Sequence, residues 1–560
     1  MSSTDAPRAR RPFPPVREWL PGYSRSDLAP DAVAGLTVWA LVVPESMAYA
    51  SIAGVPVEYG LYAVPLAALG YSLFASSRRM FVGPSATIAA LTASAVAPVA
   101  AAGTDTYIAL VGALALMVGA IYVVLGLLRM GFIARLFARP VLDGFMVGLG
   151  LFIAIGQLHK LFGVPKASGN TVAQFLGVFQ DRAEWNAATM AVAAVAVLIL
   201  FGGERLMPKI PGALVVLVLG LIAVPLLGLE DRGVEVVGDV PTGISLVSWS
   251  AITLDDVLDL IPGALAIVVV GFAQSIAIAK SYAITDRTTV DADAELVAYG
   301  AASLGAGALQ GFPPTGSLSK TAAAQGSGAR TPVAYLIAAA LTLLTVLFLA
   351  GVFATLPEAV LGAVVIHAVW GSLRPTKLTA LRAARVPDFW LALVALLGVI
   401  LVGILAGVVL GVALSMILLL HRMAKPHTAL LGLDPQSHRF ADLAEVPGVQ
   451  PIPGVLVLRV DGPLVFANVD PIFDRLTAEL ATGAYTRIVL DLEVVYEVDT
   501  TAVAMLEQFV DDQSARGVSV VLARVHAPVR DYLTRVQAQR LLAEDACYPT
   551  VRAAVESSAG

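Results

Sequence analysis

The sequence predicts a polytopic α-helical membrane protein followed by a cytoplasmic α/β domain, and three observations carry that prediction. Of 560 residues, 58% are hydrophobic and only 14% are charged, where a soluble protein carries about 25% charged. The mean hydropathy of +0.81 leaves more apolar surface than a water-soluble core could hide. The composition also breaks near Lys425: residues 1–425 hold 26 basic and 24 acidic side chains, net +2, and residues 426–560 hold 10 and 18, net −8. A soluble enzyme is disfavoured, and an acidic tail argues against nucleic-acid binding, which wants a basic face.

Residues 1–30 are charged and proline-rich and read as a cytoplasmic N-terminal segment with no secretory signal. The membrane domain follows over residues 31–425. Apolar stretches long enough to cross hydrocarbon begin near residues 32, 60, 84, 106, 140, 187, 211, 257, 292, 314, 332, 357, 387 and 405, giving fourteen spans. Alternate connections then collect 21 Lys/Arg, among them Arg8, Arg10, Arg11, Arg78, Arg79, Arg129, Arg135, Arg139, Arg374, Lys377, Arg382 and Arg385, against four on the other side: Lys160, Lys166, Arg182 and Arg232. That bias puts both termini in the cytoplasm of a cell with the chain in its inner, or plasma, membrane.

Two pairs of segments repeat at nearly one spacing. VVPESMAYA with Glu45 resembles VVGFAQSIAIAKSYA with Gln274, 229 residues apart, and VGPSAT with Pro84 resembles FPPTGS with Pro314, 230 apart. Seven spans per half is odd, so the second half enters the bilayer upside down, a seven-plus-seven inverted repeat. Pro84 and Pro314 are each read as the first residue of a helix, where proline loses no needed bond. Both helices would start inside the membrane, the second as a half helix over Thr315–Gly326. Two such starts facing one spot offer amides and about half a positive charge each, a seat for an anion. The donors expected are the amides around Ser85 and Ala86 and around Gly316 and Ser317.

Lys320, within the second half helix, is costly at mid-membrane without an anion or a wet cavity. Glu45 poses the same problem with opposite sign: a carboxylate beside an anion seat is either titrated, giving proton coupling, or held in a fixed ion pair with Lys320. Snorkelling to the cytoplasmic interface is the alternative for Lys320. Tyr49, one turn past Glu45, can cap the site or simply pack. Ser317 and Ser319 can bond back to their own helix, Asp143 suits a cytoplasmic helix end, and His159 and His367 read as satisfied interface histidines. One cysteine, Cys547, excludes a disulfide framework, and no zinc spacing occurs, so no metal or cofactor is expected.

The residues WLPGY, DAVAGLTV, VPESMAYA with AGVP and YGLY, GPSAT, RPVLDGF, AIAKSYA and GFPPTGSLSKTA resemble the sulfate permease (SulP) family of anion transporters over about residues 13–555. The resemblance implies a core of spans 1–4 and 8–11, a gate of spans 5–7 and 12–14, and an elevator-like or rocking movement of one against the other. It places the substrate site between spans 3 and 10, with side chains from spans 1 and 8, here Glu45, Tyr49, Gln274, Ser317 and Lys320. Many relatives are acidic at Gln274 and neutral at Glu45, so the coupling acid has changed spans. Sodium coupling loses ground because Ile278, one turn past Gln274, offers no oxygen ligand. Lys320 stands where arginine is common and lacks its bidentate fork.

Residues 426–453 read as a linker. From 454 to 555, VLVLRV, RIVLDLEV and VSVVLARV alternate with helical stretches, an α/β pattern. DLEVVYEVDTTAVAML resembles a STAS domain, in whose bacterial antagonist relatives a hydroxyl at the strand-to-helix turn is phosphorylated. That position is Thr501, a regulatory candidate, while Thr500 and Thr501 read first as N-capping residues. Dimerisation and regulation are the roles the resemblance implies for the tail. The function expected is a homodimeric secondary transporter that takes up a small oxyanion or dicarboxylate with a proton, with anion exchange as the alternative; the sequence does not choose among sulfate, bicarbonate, chloride and a dicarboxylate as substrate. An uncoupled anion channel or voltage-driven motor of the same fold and a nucleobase permease are rivals, disfavoured respectively by Glu45 and by Gln274 with the tail.

Overall fold

The computed structural model describes residues 15–135, 138–180, 182–206, 211–373, 376–384 and 386–557. Arg8, Arg10, Arg11, Arg374 and Arg385, used above for topology, lie outside the described residues. The chain divides into two units, 1–415 and 416–560.

Among the described residues, helices occupy each of the fourteen predicted intervals. They are α1 (Arg25–Ala53), α2 (Pro65–Phe74), α3 (Ala86–Val96), α4 (Asp105–Leu127), α5 (Arg139–Phe162), α6 (Ala187–Leu206) and α7 (Gly212–Leu227) in the first half. The second half holds α8 (Ile261–Asp286), α9 (Ala292–Ala308), α10 (Leu318–Gly326), α11 (Val333–Leu344), α12 (Glu358–Trp370), α13 (Val386–Leu401) and α14 (Ile404–Ala424). Among the described residues, seven helical segments are by themselves long and apolar enough to cross a membrane. The turn expected between Gly403 and Gly407 falls at Gly403, whose φ of 127° suits only glycine.

Helices α4 and α9 pack backbone against backbone. Glycines recur every seven residues on both, at Gly112, Gly119 and Gly126 and at Gly300 and Gly307. A Cβ on Gly300 would lie 2.9 Å from the Gly119 carbonyl oxygen, and one on Gly307 would lie 2.9 Å from that of Gly112. In lipid, where apolar burial gives helices no reason to associate, such close approach is what holds them together.

Two short strands were not predicted. β1 (Phe81–Gly83) and β2 (Thr315–Ser317) pair antiparallel, with Phe81 opposite Ser317 and Gly83 opposite Thr315. A residue before proline is pushed out of the helical region into extended backbone, which acts here on Gly83, the last residue of β1, whereas β2 lies after Pro314, between it and the helix. Pro84 and Pro314 are therefore not the first residues of helices. Helix α3 begins at Ala86 with Ser85 as N-cap, and α10 begins at Leu318 with Ser317 as N-cap. The half helix is nine residues, not the twelve of Thr315–Gly326, and at 1.5 Å per residue spans about 14 Å.

The second unit is a six-stranded sheet in the order β4–β3–β5–β6–β7–β8, formed by β3 (His427–Leu433), β4 (Phe440–Asp442), β5 (Val455–Asp461), β6 (Arg487–Asp491), β7 (Ser519–Ala523) and β8 (Cys547–Tyr548). The strands β5 to β8 run parallel and the β3–β4 hairpin antiparallel. Residues 426–453 are therefore not a plain linker: they supply two strands, one of them paired along β5. Helices α15 (Val469–Leu480), α16 (Thr500–Ala515) and α17 (Ala527–Arg535) share a buried core with one sheet face, where the Phe473 and Phe509 rings stack at 4.8 Å. Helix α18 (Val551–Glu556) packs on the other face through Val551 and Ala554.

The cap of α16 is neither Thr500 nor Thr501. Asp499 accepts from the Ala502 amide at 2.8 Å and, through its other oxygen, from the Phe466 amide at 2.7 Å. The two threonines follow as exposed first-turn residues, with Thr501 accessible at the strand-to-helix turn. Asp499→Ala is expected to destabilise this domain by about 1–2 kcal/mol, against under about 0.5 kcal/mol for Thr501→Ala. Chemical denaturation of the purified chain followed by a probe in the second unit measures both; equal effects would return the cap to the threonine.

Candidate functional site at the crossing of the half helices

The strand pair brings the starts of α3 and α10 together, and α1 crosses beside them. Helix α1 is continuous from Arg25 to Ala53 despite Pro44, which cannot donate to the Ala40 carbonyl, so the helix is weakened one residue before Glu45. Glu45 and Tyr49 lie four apart and so share one face. The Tyr49 hydroxyl donates to Glu45 Oε2 at 3.0 Å, and the Lys320 ammonium binds that same oxygen. Lys320 also lies over the Tyr49 ring, 5.3 Å from its centroid. Lys320 is 1% exposed and Glu45 9%. The ion pair entertained from the sequence is thus present, and Lys320 is buried rather than snorkelling.

Ser85 accepts from the Ile88 amide, and Ser317 from the Lys320 amide, each at 3.4 Å. Ser317 thus caps its own helix and also meets Ser319 Oγ at 3.3 Å. The Gly316 amide, expected as an anion donor, is instead taken by Ser275 Oγ at 2.9 Å. The amides with no partner inside their helix are those of the first residues after each cap, Ala86 and Thr87 in α3 and Leu318 and Ser319 in α10. Leu318 and Ser319 are exposed in the middle of an otherwise buried segment, so the α10 tip is uncovered by the rest of the chain.

Gln274, on α8, is half-buried, and its amide meets Met146 Sδ of α5 at 3.0 Å rather than the charged pair. His159 and His367 lie on α5 and α12 and Asp143 near the start of α5, outside this cluster; the His367 ring packs edge-on against Phe201 at 4.9 Å. Four participants escaped the sequence reading: Met146, Ser275, Thr315 and Thr321. Only the pre-proline restriction on Gly83 signalled β1, and no local pattern signalled β2, against which Ser275 packs.

A buried Lys–Glu pair beside two helix starts, within a bundle of apolar helices, is an arrangement compatible with a membrane transporter. Residues 28–395 match the sulfate permease family and residues 447–554 the STAS domain. The chain belongs to the sulfate permease family: it is a multi-pass membrane anion transporter with a C-terminal STAS domain, and not an enzyme. It is 34% identical to a probable sulfate transporter of Mycobacterium tuberculosis over 552 residues, 96% of this chain and 98% of that protein. It is 27% identical to the chloroplastic sulfate transporter 4.1 of Arabidopsis thaliana, covering 97% of this chain and 82% of that one. The fold is that of the murine Solute Carrier 26 family member A9 anion transporter in the inward-facing state, with a TM-score of 0.91 at 23% identity over 98% of this chain and 94% of that chain. The transmembrane domain of the cyanobacterial bicarbonate transporter BicA is similar at TM-score 0.60 and 22% identity, covering 70% of this chain and 98% of that chain.

Proposed function

We propose that the protein takes up a small oxyanion, sulfate before others, together with a proton, by an elevator-like movement of core against gate with both termini in the cytoplasm. The observation that carries this reading is the buried Glu45–Lys320 pair beside the two helix starts. While Glu45 is ionised it occupies Lys320, and the pair is neutral. A proton on Glu45 releases the ammonium and leaves the seat cationic. Lys320 with two helix starts, each equivalent to about half a charge, then amounts to about +2, which matches a divalent oxyanion. With Glu45 ionised the sum is about +1, so the proton and the second negative charge of the substrate go together. Relatives described as sulfate transporters support the same substrate.

Uptake of radiolabelled sulfate into proteoliposomes, with and without an inward proton gradient, tests this. The expected result is saturable uptake accelerated by the gradient. Uptake that ignores the gradient and follows an outward anion gradient instead would replace symport by exchange.

A further inference from the structure

Ser275 was not among the residues expected at the site, yet it is completely buried at the root of the α10 tip. Its Oγ accepts the Gly316 amide at 2.9 Å and lies 2.6 Å from Thr315 Oγ1, which in turn donates to the Gly271 carbonyl at 3.3 Å. Since the threonine proton goes to Gly271, the serine proton goes to the threonine, and each of these groups is satisfied. The chain of bonds fastens β2 to α8 one residue past Gln274. A second hydroxyl does the reciprocal job: Thr321, in the first turn of α10, accepts the Phe81 amide of β1 at 3.0 Å. Gly316 has little room to find another arrangement, because a Cβ there would meet Met80 Sδ at 2.7 Å and Ser275 Cβ at 3.2 Å.

We propose that Ser275 is a positioning residue for anion recognition: by holding Gly316 it sets where Ser317 and Lys320 stand relative to Glu45. It touches neither the charged pair nor the exposed amides, and acts on the anion only through β2. The proposal rests on the crossing being the anion seat. Removing the hydroxyl leaves a buried amide unpartnered, and such a loss is worth about 1–3 kcal/mol, so the tip relaxes at the expense of the bound geometry.

The test is sulfate uptake kinetics in proteoliposomes for Ser275→Ala, with Ser275→Cys, Ser303→Ala and Lys320→Gln alongside. Ser303 is equally buried in α9, and its hydroxyl has no partner among the described residues, so it controls for losing a hydroxyl from the same domain. The expected result is a KM raised about tenfold with kcat within about twofold in Ser275→Ala, a smaller rise in Ser275→Cys, whose thiol is a weak acceptor, and no change in Ser303→Ala. A KM that Ser275→Ala and Ser275→Cys leave alone while Lys320→Gln raises it would overturn this proposal and keep the seat. An unchanged KM in Lys320→Gln as well would overturn the seat itself. If Ser275→Ala does not fold, the Ser275→Cys result decides, a KM equal to that of the unmodified protein counting against the proposal.

Discussion

Glu45→Gln is expected to leave anion uptake saturable and to remove its response to an inward proton gradient. Glutamine keeps the shape of the protonated acid and an oxygen for the Tyr49 hydroxyl, which donates to Glu45 Oε2 in the native protein, but it cannot take or give a proton. The substitution therefore holds the site permanently in the state that admits the anion. It also strands the Lys320 ammonium, 1% exposed, and removing one member of a buried pair costs about 3–5 kcal/mol. A bound anion relieves that cost, so sulfate should raise the melting temperature of Glu45→Gln more than that of the native protein, through simple mass-action linkage. Uptake under imposed gradients and thermal unfolding with and without sulfate measure the two consequences. Proton drive that survives the substitution would move coupling away from Glu45.

The second large effect is expected at Lys320→Ala. Truncation removes the one full positive charge at the seat and leaves Glu45 ionised and buried, so anion and carboxylate repel each other directly. Losing a buried charged partner typically costs 2–5 kcal/mol of binding, about 30-fold to several thousand-fold in affinity. The double variant Glu45→Gln with Lys320→Ala separates folding from recognition, because deleting both charges leaves neither stranded. It should restore expression without restoring sulfate binding. Tight binding by the double variant would mean that backbone amides and helix dipoles suffice and that the ammonium is there for the fold.

Much of this was legible in the residues, and the parts that were not share a cause. The helices could be placed because length and apolarity alone decide what crosses hydrocarbon, and Glu45 and Lys320 stood out because a charge at that depth demands a reason. Their meeting depends on β1 pairing with β2, an event 234 positions apart in the chain (Val82 to Gly316), and three-residue strands leave no periodic pattern. The packing of β2 on α8 brought Ser275 to Gly316 and so withdrew an amide that a helix-start argument had counted as available. Local rules also competed: Asp499 and Thr500 are both good cap residues, and only the backbone of Phe466, folded in from another loop, favours the aspartate. At 426–453 the polar turn around DPQS masked two flanking strands, HTALLGL and FAD.

The seven-residue spacing of the recessed positions on α4 and α9 has a mechanical corollary. Each recess accepts one stretch of the opposite main chain, and the next matching recess lies seven residues on, about 10.5 Å along the axis. Any slide shorter than that would drive a side chain into a carbonyl. The two rods are consequently indexed like a toothed rack, free to sit at whole notches and at nothing between. A relative movement of helices in this unit is expected at other, smoother contacts rather than between these two.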